Sequence, residues 1–332
     1  MNPPKVAIVA VTYKCNARCK ICDIWKNPPN YPELTPKDYR NLPKNLVDVN
    51  ITGGEPFIRE DLVELIYETH RVSSPRFVIS SNGSLTEKTI DDMKQILRFS
   101  KNAAVRISID GMRETHDDIR GVPGFFDKAV RTVEGLKSTG VRDLGIAMTV
   151  IDQNIPEISS VYELANELGV EFSISVATDS DIYFGKGKSE LLSNRDERLS
   201  YQFNHLIHSE MTSWNIKRIF RGWFEKGLLE YALGTGKDWK CDAARGFFYL
   251  DPKGNVYPCH ILPMPIGNIK DTPWEDIWNS DKAKRARVMV DNCKNGCWMI
   301  CTIKSKINKK MPEIALEIAK LKAKAHLHKS IV

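Results

Sequence analysis

No hydrophobic run in this chain approaches the roughly 20 residues that cross a membrane. The one apolar stretch near the start, Val6 to Val11, is too brief and too weakly flanked for a signal peptide, so the chain reads as soluble and cytoplasmic. Internal repeats and low-complexity tracts are absent, which excludes solenoids and disordered spacers. The body also lacks an excess of either charge. Eight lysines (304, 306, 309, 310, 320, 322, 324 and 329) face only Glu313 and Glu317 in residues 303–332, so the tail carries the whole net charge of +6. A balanced body with a basic tail is a poor nucleic-acid scaffold, and no nucleic-acid partner is expected.

What is present suits a folded enzyme of about two domains. The chain has 332 residues, 42% of them hydrophobic and 27% charged, enough for a sizeable core. Its eight cysteines, in a reducing compartment, point to metal ligands or catalytic thiols rather than disulfides.

Short Val- and Ile-rich runs at 6–12, 47–52, 76–80, 104–109, 144–150 and 171–176 read as strands. Helix-like stretches at 61–71, 87–99, 126–138 and 158–168 lie between them, with Thr86 and Pro156 as start signals. This alternation predicts an α/β fold with a parallel sheet and outer helices, open or curled into part of a barrel. A polar loop at 179–188 follows the sixth strand, then two helices near 196–214 and 218–233. Residues 241–301 have few helical stretches, two tight turns and five of the eight cysteines, the texture of a small second domain not held by a large core. Ile307, Met311, Ile314, Ile318 and Leu321 lie on one face of a terminal helix. That face either docks on the protein's own body or lies on an anionic membrane surface.

Cys15, Cys19 and Cys22 form C-x3-C-x2-C directly after the first strand. Loops at the C-terminal ends of barrel strands build active sites. Three neighbouring thiolates need a cation between them. With no fourth ligand nearby, the set departs from a four-ligand zinc site and suits a four-iron four-sulfur cluster with one open iron. The second strand ends in Gly53-Gly54-Glu55-Pro56, and the third and fourth end in Ser80-Ser81-Asn82-Gly83 and Ser108-Ile109-Asp110-Gly111.

On these motifs the chain resembles the radical S-adenosylmethionine (SAM) enzymes. The resemblance implies a partial (β/α)6 barrel in which Cys15, Cys19 and Cys22 hold the cluster and SAM sits on the open iron. Gly53, Gly54, Glu55 and Pro56 would meet the SAM amino group. Ser80, Asn82, Ser108 and Asp110 would reach its ribose and carboxylate, and Thr149, Ser175 and Ala177 would complete the adenine pocket. The segment His116–Gly121 is similar to the family's stretch after the fourth strand, whereas Ile21 stands where an aromatic residue is common.

Cys241, Gly254 and Cys259 resemble the opening of the family's SPASM and twitch extensions. Cys293, Cys297 and Cys301 depart from the full SPASM pattern, because only the last spacing matches. Five cysteines can close one auxiliary four-iron cluster and leave one over. A zinc site from four of them, with His260 as a possible ligand, uses the same donors. The resulting division is a core over 1–180, a helical linker over 181–237, an auxiliary cluster domain over 238–302 and a basic amphipathic helix over 303–332.

The function the resemblance implies is reductive cleavage of SAM to a 5′-deoxyadenosyl radical and hydrogen abstraction from an organic substrate, with the auxiliary cluster aiding oxidation or bond formation. The alternatives are methyl or adenosyl transfer on the same core, and a non-catalytic iron–sulfur electron carrier. The substrate is a small molecule, a lipid-linked precursor or a peptide side chain, and the electron donor a flavodoxin or ferredoxin. The motif begins at residue 15, leaving no room before it for the peptide-binding domain of many peptide-modifying members. Catalytic candidates are Asp179, Asp181 and Tyr183 on the loop after the sixth strand, and Arg106, which alternates with Ser108 and Asp110 and would point inward toward a substrate carboxylate or phosphate.

Overall fold

The computed structural model describes residues 2–27, 30–193, 197–236, 240–307 and 310–327. The expected helix start at Asp196 and two of the tail lysines, Lys309 and Lys329, lie outside them.

Six strands form in chain order: β1 (Val6–Ala10), β2 (Asp48–Thr52), β3 (Arg76–Ser81), β4 (Ala104–Ser108), β5 (Asp143–Val150) and β6 (Glu171–Val176). Each pairs in parallel with the next. The crossovers carry α1 (Leu62–Ser73), α2 (Thr86–Phe99), α3 (Arg113–Arg120), α4 (Phe125–Lys137) and α5 (Ile158–Glu167). Alternation decides which face is covered. Val49, Ile51, Phe77, Ile79, Val105, Ile107, Ile146, Met148, Phe172 and Ile174 are buried in one core with these helices. The opposite face carries Asn50, Ser80, Arg106, Ser108, Thr149 and Ser173, all half-buried, with Ser175 exposed. A parallel sheet usually covers both faces, so this polar concave face is the one available to a ligand.

The polar loop holds as expected up to α6 (Glu197–Thr212) and α7 (Ile216–Leu233). Phe203, Leu206, Ile207, Trp223 and Leu228 join the barrel core, so this stretch packs as part of the body. Next come β7 (Phe247–Leu250), β8 (Asn255–Tyr257) and β9 (Gly267–Asn268). β7 pairs in parallel with the free side of β1, and β8 and β9 continue antiparallel, giving one nine-stranded sheet ordered β6-β5-β4-β3-β2-β1-β7-β8-β9. The cysteine-rich segment therefore extends the barrel sheet. It also holds more helix than its texture implied, in α8 (Trp274–Asn279) and α9 (Asp281–Asp291).

All four residues of β7 are buried because both of its faces are covered. Phe248 packs against Trp274 and Trp278 on one side, with ring centroids 4.5 and 6.2 Å away. Each fully buried phenylalanine here stabilises the fold by about 1.5–3 kcal/mol. α9 is fixed by Arg287, whose guanidinium lies over Trp278 and donates to the carbonyls of Ala244 (2.9 Å) and Trp278 (2.7 Å).

The tail forms α10 (Ile300–Ile307) and α11 (Met311–His326). Ile314, Leu321 and Ala325 of α11 are buried in the common core. The Trp223 indole donates to Glu317 (2.9 Å), and Lys322 donates to the carbonyls of Met211 and Ser213 at the end of α6. The terminal helix thus docks Ile314, Leu321 and Ala325 against the body beside α6 and α7, while Met311 at its start stays exposed.

Candidate functional site

Cys15, Cys19 and Cys22 lie on the loop leaving β1, at the C-terminal end of the barrel strands. The loop's backbone is tied to other segments. Arg18 N–H donates to the Arg120 carbonyl (2.8 Å), Lys20 N–H to that of Ile119 (2.9 Å) and Asp23 N–H to that of Phe184 (2.8 Å). Donors also face the sulfurs: Ala17 N–H is 3.5 Å from Cys15 Sγ, Ile24 N–H 3.4 Å from Cys22 Sγ, and Arg120 Nη1 3.7 Å from Cys19 Sγ. Burial pushes the Cys15 thiol up to about 11 and the Cys22 thiol up to about 12, with the neighbouring sulfurs adding to the rise. Three neighbouring thiols raised in this way become thiolates together only beside a cationic group. The all-sulfur donor set, with N–H groups aimed at the sulfurs, fits an iron–sulfur cluster.

The Gly53–Pro56 turn packs on this loop. A Cβ on Gly53 would stand 2.3 Å from the Thr12 carbonyl oxygen and one on Gly54 2.1 Å from that of Lys14, so glycine is required by backbone approaching backbone. Gly54 N–H and Glu55 N–H donate to those same two carbonyls at 2.8 and 2.9 Å. The buried Glu55 carboxylate accepts from Asn82 N–H (2.7 Å), Ser81 Oγ (2.9 Å) and Phe57 N–H (3.1 Å), and burial pushes it up to about 7. The Asn82 side chain donates to Asn16 Oδ1 (2.8 Å), binding the end of β3 to the cysteine loop.

Asp110, at the end of β4, is fully buried. Its Oδ2 pairs with Arg120 Nη2 at 2.5 Å and its Oδ1 accepts from Thr149 N–H at 2.8 Å. Its N–H donates to His116 Nδ1 (3.0 Å), and burial together with Arg120 pushes that imidazole down to about 3, keeping it neutral. Thr149 and Ser175 meet through their hydroxyls at 3.3 Å, and Ala177 is buried beside Ile21, Ile119 and Ile151. Ser80 and Ser108 remain half-buried on the concave face. Arg120 was not singled out from the sequence. It lies inside the His116–Gly121 segment, but its partners come from positions 19 and 110, which only the fold brings together.

The four catalytic candidates separate. Asp179 closes its own loop, accepting from Lys188 N–H (2.6 Å), Ser189 N–H (3.0 Å) and the Ser189 hydroxyl. Asp181 makes a 3.5 Å ion pair with Lys186 at the surface. Arg106 lies on the concave face but is bound to Asp143 (2.6 Å) at the start of β5, at the strand ends away from the cysteine loop, where Arg76 also meets Asp143 and Asp48. Tyr183 goes inward. Its ring packs in the group holding Cys15 and Cys22, and its hydroxyl reaches the Gly53 turn.

Cys241, Cys259, Cys293, Cys297 and Cys301 lie within electrostatic reach of one another. Burial pushes Cys259 up to about 11 and Cys297 up to about 12. Cys301 is buried in a group with Ala243, Phe247 and Val290, and Cys241, Cys259, Met299, Val6 and Ile8 each pack on that group. Ile8 also packs in the group of Cys15 and Cys22, so the two cysteine sets flank the same stretch of β1. Among the described residues no three His, Cys, Asp or Glu side chains are gathered around one metal ion. The donors nonetheless fit a cluster as the first set does: five thiols, Cys301 buried and the other four half-buried.

A family model for the radical SAM superfamily matches residues 9–165, and one for an iron–sulfur cluster-binding domain, SPASM, matches 241–302. The AdoMet-dependent heme synthase of Oleidesulfovibrio alaskensis is 31% identical over 82% of this chain and 74% of its own. The chain belongs to the radical SAM superfamily. This radical SAM protein is also similar to the AdoMet-dependent heme synthase of Methanosarcina barkeri (28% identity, 91% of this chain, 90% of that one) and to the sporulation killing factor maturation protein SkfB of Bacillus subtilis (25%, 88% and 68%). Its fold is shared with anSMEcpe solved with bound AdoMet, at a TM-score of 0.66 and 18% identity over 96% of this chain and all of that one. It is accordingly a radical SAM enzyme with a SPASM domain, using SAM and 4Fe-4S clusters. Among the described residues no helix is long and apolar enough to cross a membrane.

Proposed function

We propose that this enzyme carries out a radical oxidation of a small organic molecule held on the concave face of the sheet, between the two cysteine sets. The observation that carries the reading is Ile8, which packs both on the buried group of Ala10, Tyr13, Ile24 and Tyr249, where Cys15 and Cys22 also pack, and on the group of Phe247 and Cys301, where Cys241 and Cys259 also pack. In this reading Cys15, Cys19 and Cys22 hold the SAM-binding cluster. Cys241 and Cys259, with two of Cys293, Cys297 and Cys301, hold the auxiliary one. When bound, the first cluster and SAM supply a 5′-deoxyadenosyl radical, and the second cluster accepts the electron the substrate loses.

The protein's part is positioning and exclusion. The Gly53–Pro56 turn offers backbone carbonyl acceptors to the SAM amino group, and the buried Glu55 carboxylate fixes the turn through Phe57, Ser81 and Asn82. Ser80 and Ser108 face its ribose and carboxylate, with Asn82 and the buried Asp110 holding the strand ends behind them, and Thr149, Ser175 and Ala177 face its adenine. Arg120 holds Asp110 and donates toward Cys19. Buried aliphatic side chains around both sets keep water and stray hydrogen donors away from the reacting carbon. The enzyme is cytoplasmic and takes its electron from a flavodoxin or ferredoxin.

For substrate class the reading is a tetrapyrrole. Its support is that two AdoMet-dependent heme synthases align with 82–91% of the chain, and an Fe-coproporphyrin III synthase of M. barkeri and a pre-heme d1 synthase of Dinoroseobacter shibae are also similar. The test is titration of the anaerobic protein with Fe-coproporphyrin III. A saturable shift of the porphyrin absorption band, followed by SAM-dependent mass loss from the porphyrin, is expected. No shift at concentrations where the loaded enzyme cleaves SAM contradicts the tetrapyrrole class and moves the search to peptides of the kind matured by SkfB. S-adenosylhomocysteine or an adenosylated product would replace abstraction by group transfer.

A further inference from the structure

We infer that Tyr183 is a positioning residue for the SAM site and that, through His260, it couples the auxiliary cysteine segment to SAM affinity. The inference rests on the proposed role of the Gly53 turn in receiving the SAM amino group.

The loop after β6 touches three segments that chain order keeps far apart. Toward the cysteine loop, Phe184 accepts from Asp23 N–H (2.8 Å), and Lys188 Nζ donates to the Lys20 carbonyl (2.9 Å) and to Asp23 Oδ1 (3.1 Å). Toward the glycine turn, the Tyr183 hydroxyl lies 2.5 Å from Thr52 Oγ1, donates to the Gly53 carbonyl (3.1 Å) and receives Gly53 N–H (3.4 Å). Toward the auxiliary segment, Ser180 Oγ donates to the His260 carbonyl, one residue past Cys259. The rings of Tyr183 and Phe184 stand edge-on to the His260 ring at 6.3 and 5.6 Å. Tyr249 of β7 closes the group, 5.8 Å from Tyr183 and 6.5 Å from His260. The loop is itself rigid, because Ser180 and Gly185 exchange backbone hydrogen bonds at 2.8 and 3.0 Å.

These contacts specify a mechanical role. Gly53 sits at φ 137°, a conformation without Cβ restraint, so its peptide orientation is set by partners rather than by its own sterics. Tyr183 grips both polar groups of Gly53 and the preceding hydroxyl. A buried phenol with one proton and two lone pairs can satisfy these three contacts together, and burial raises it far above any working pH, so it stays a neutral phenol. The pose of that phenol is set in turn by His260 and Ser180. The His260 backbone directly follows Cys259, whose own Sγ accepts from Leu262 N–H at 3.4 Å. Binding at the auxiliary set therefore orders His260, His260 orders Tyr183, and Tyr183 orders the Gly53 carbonyl: two sites joined by one shared element.

The test is equilibrium binding of SAM to anaerobically reconstituted full-length enzyme, with iron counted in every sample. Tyr183→Phe keeps the ring and its packing, and is expected to weaken SAM binding about tenfold with iron content unchanged. Cys259→Ala/Cys297→Ala, which loses the auxiliary iron, is expected to weaken it similarly. Combining the two sets of substitutions is expected to add little further loss, the signature of a common path. Unchanged SAM affinity in Tyr183→Phe, or fully additive losses in the combined variant, overturns the coupling. Glu55→Gln serves as the reference. If it too leaves SAM affinity unchanged, the assignment of the glycine turn fails, and that failure is distinct from a failure of the Tyr183 coupling alone.

Discussion

Cys15, Cys19 and Cys22 hang from a loop tied at Arg18, Lys20 and Asp23 to the segment after β4 and the loop after β6, whereas Cys293 and Cys297 lie in a stretch, 293–299, without helix or strand. The first set has its surroundings built by the sheet: Arg120 is clamped between Asp110 and Cys19, and the glycine turn sits on the loop backbone. The second has mostly half-buried sulfurs, only Cys301 being buried, and an aromatic anchor in Trp298, whose indole donates to the Phe224 carbonyl at 2.8 Å. The difference teaches that the protein's own contacts hold the first set, whereas in the proposed reading the second would take much of its order from the group it binds.

Removing the metal separates the two most strongly. Chelation followed by hydrogen exchange is expected to lower amide protection in 293–301 by about 100-fold or more, while β1 to β6 and residues 15–24 change far less. Equal loss in both would erase the contrast. Next in size is Arg120→Met, which leaves Asp110 buried without its cation. Denaturant unfolding should show a loss of about 3–5 kcal/mol, with iron lost first from the three-cysteine set. Smaller is Gly227→Ala, whose new Cβ would stand 2.0 Å from the Trp298 ring. It should cost about 1–3 kcal/mol and lower only the iron held by the five-cysteine segment.

The smallest effect comes from a buried carboxyl on α7 that faces Glu210 and Arg221 and touches neither cysteine set. Glu225 is fully buried on α7 with neither carboxylate oxygen hydrogen-bonded, and burial plus Glu210 raises it well above the ordinary 4.5. A carboxyl raised on folding contributes its stability below 4.5 and loses it as pH climbs. Glu225→Gln should therefore raise the thermal midpoint at pH 8 more than at pH 5, with both iron sites unaffected.

Much of this was legible in the sequence. Alternating Val and Ile runs located all six barrel strands, with β1 ending at Ala10 instead of residue 12. α3 escaped notice because Arg113–Arg120 offers a single aliphatic residue, Ile119, and so no periodic face. β7 read as part of a separate domain because four consecutive buried residues show no alternation, and its partner β1 lies some 240 residues earlier. For Arg106 the two-residue period gave the correct face but not the depth along the strand, so an ion pair with Asp143 looked like a substrate contact. The motif residues were visible as chemistry at fixed spacing. Arg120 and Asn16 acquire meaning only from contacts across the fold, and His260, read from sequence as a possible zinc ligand, gains there its ring contacts with Tyr183 and Phe184.

The central claim is a division of labour: the three-cysteine set generates the radical and the five-cysteine set does not. It is tested most directly by counting iron and 5′-deoxyadenosine in anaerobically reconstituted protein at saturating SAM with a strong reductant. The account predicts about eight irons in the wild type. A Cys15→Ala/Cys19→Ala/Cys22→Ala variant should keep about four irons and form no 5′-deoxyadenosine, whereas Cys259→Ala/Cys297→Ala should also keep about four and still form it. Formation of 5′-deoxyadenosine by the triple variant, or its loss only when Cys259 and Cys297 are replaced, would contradict the account.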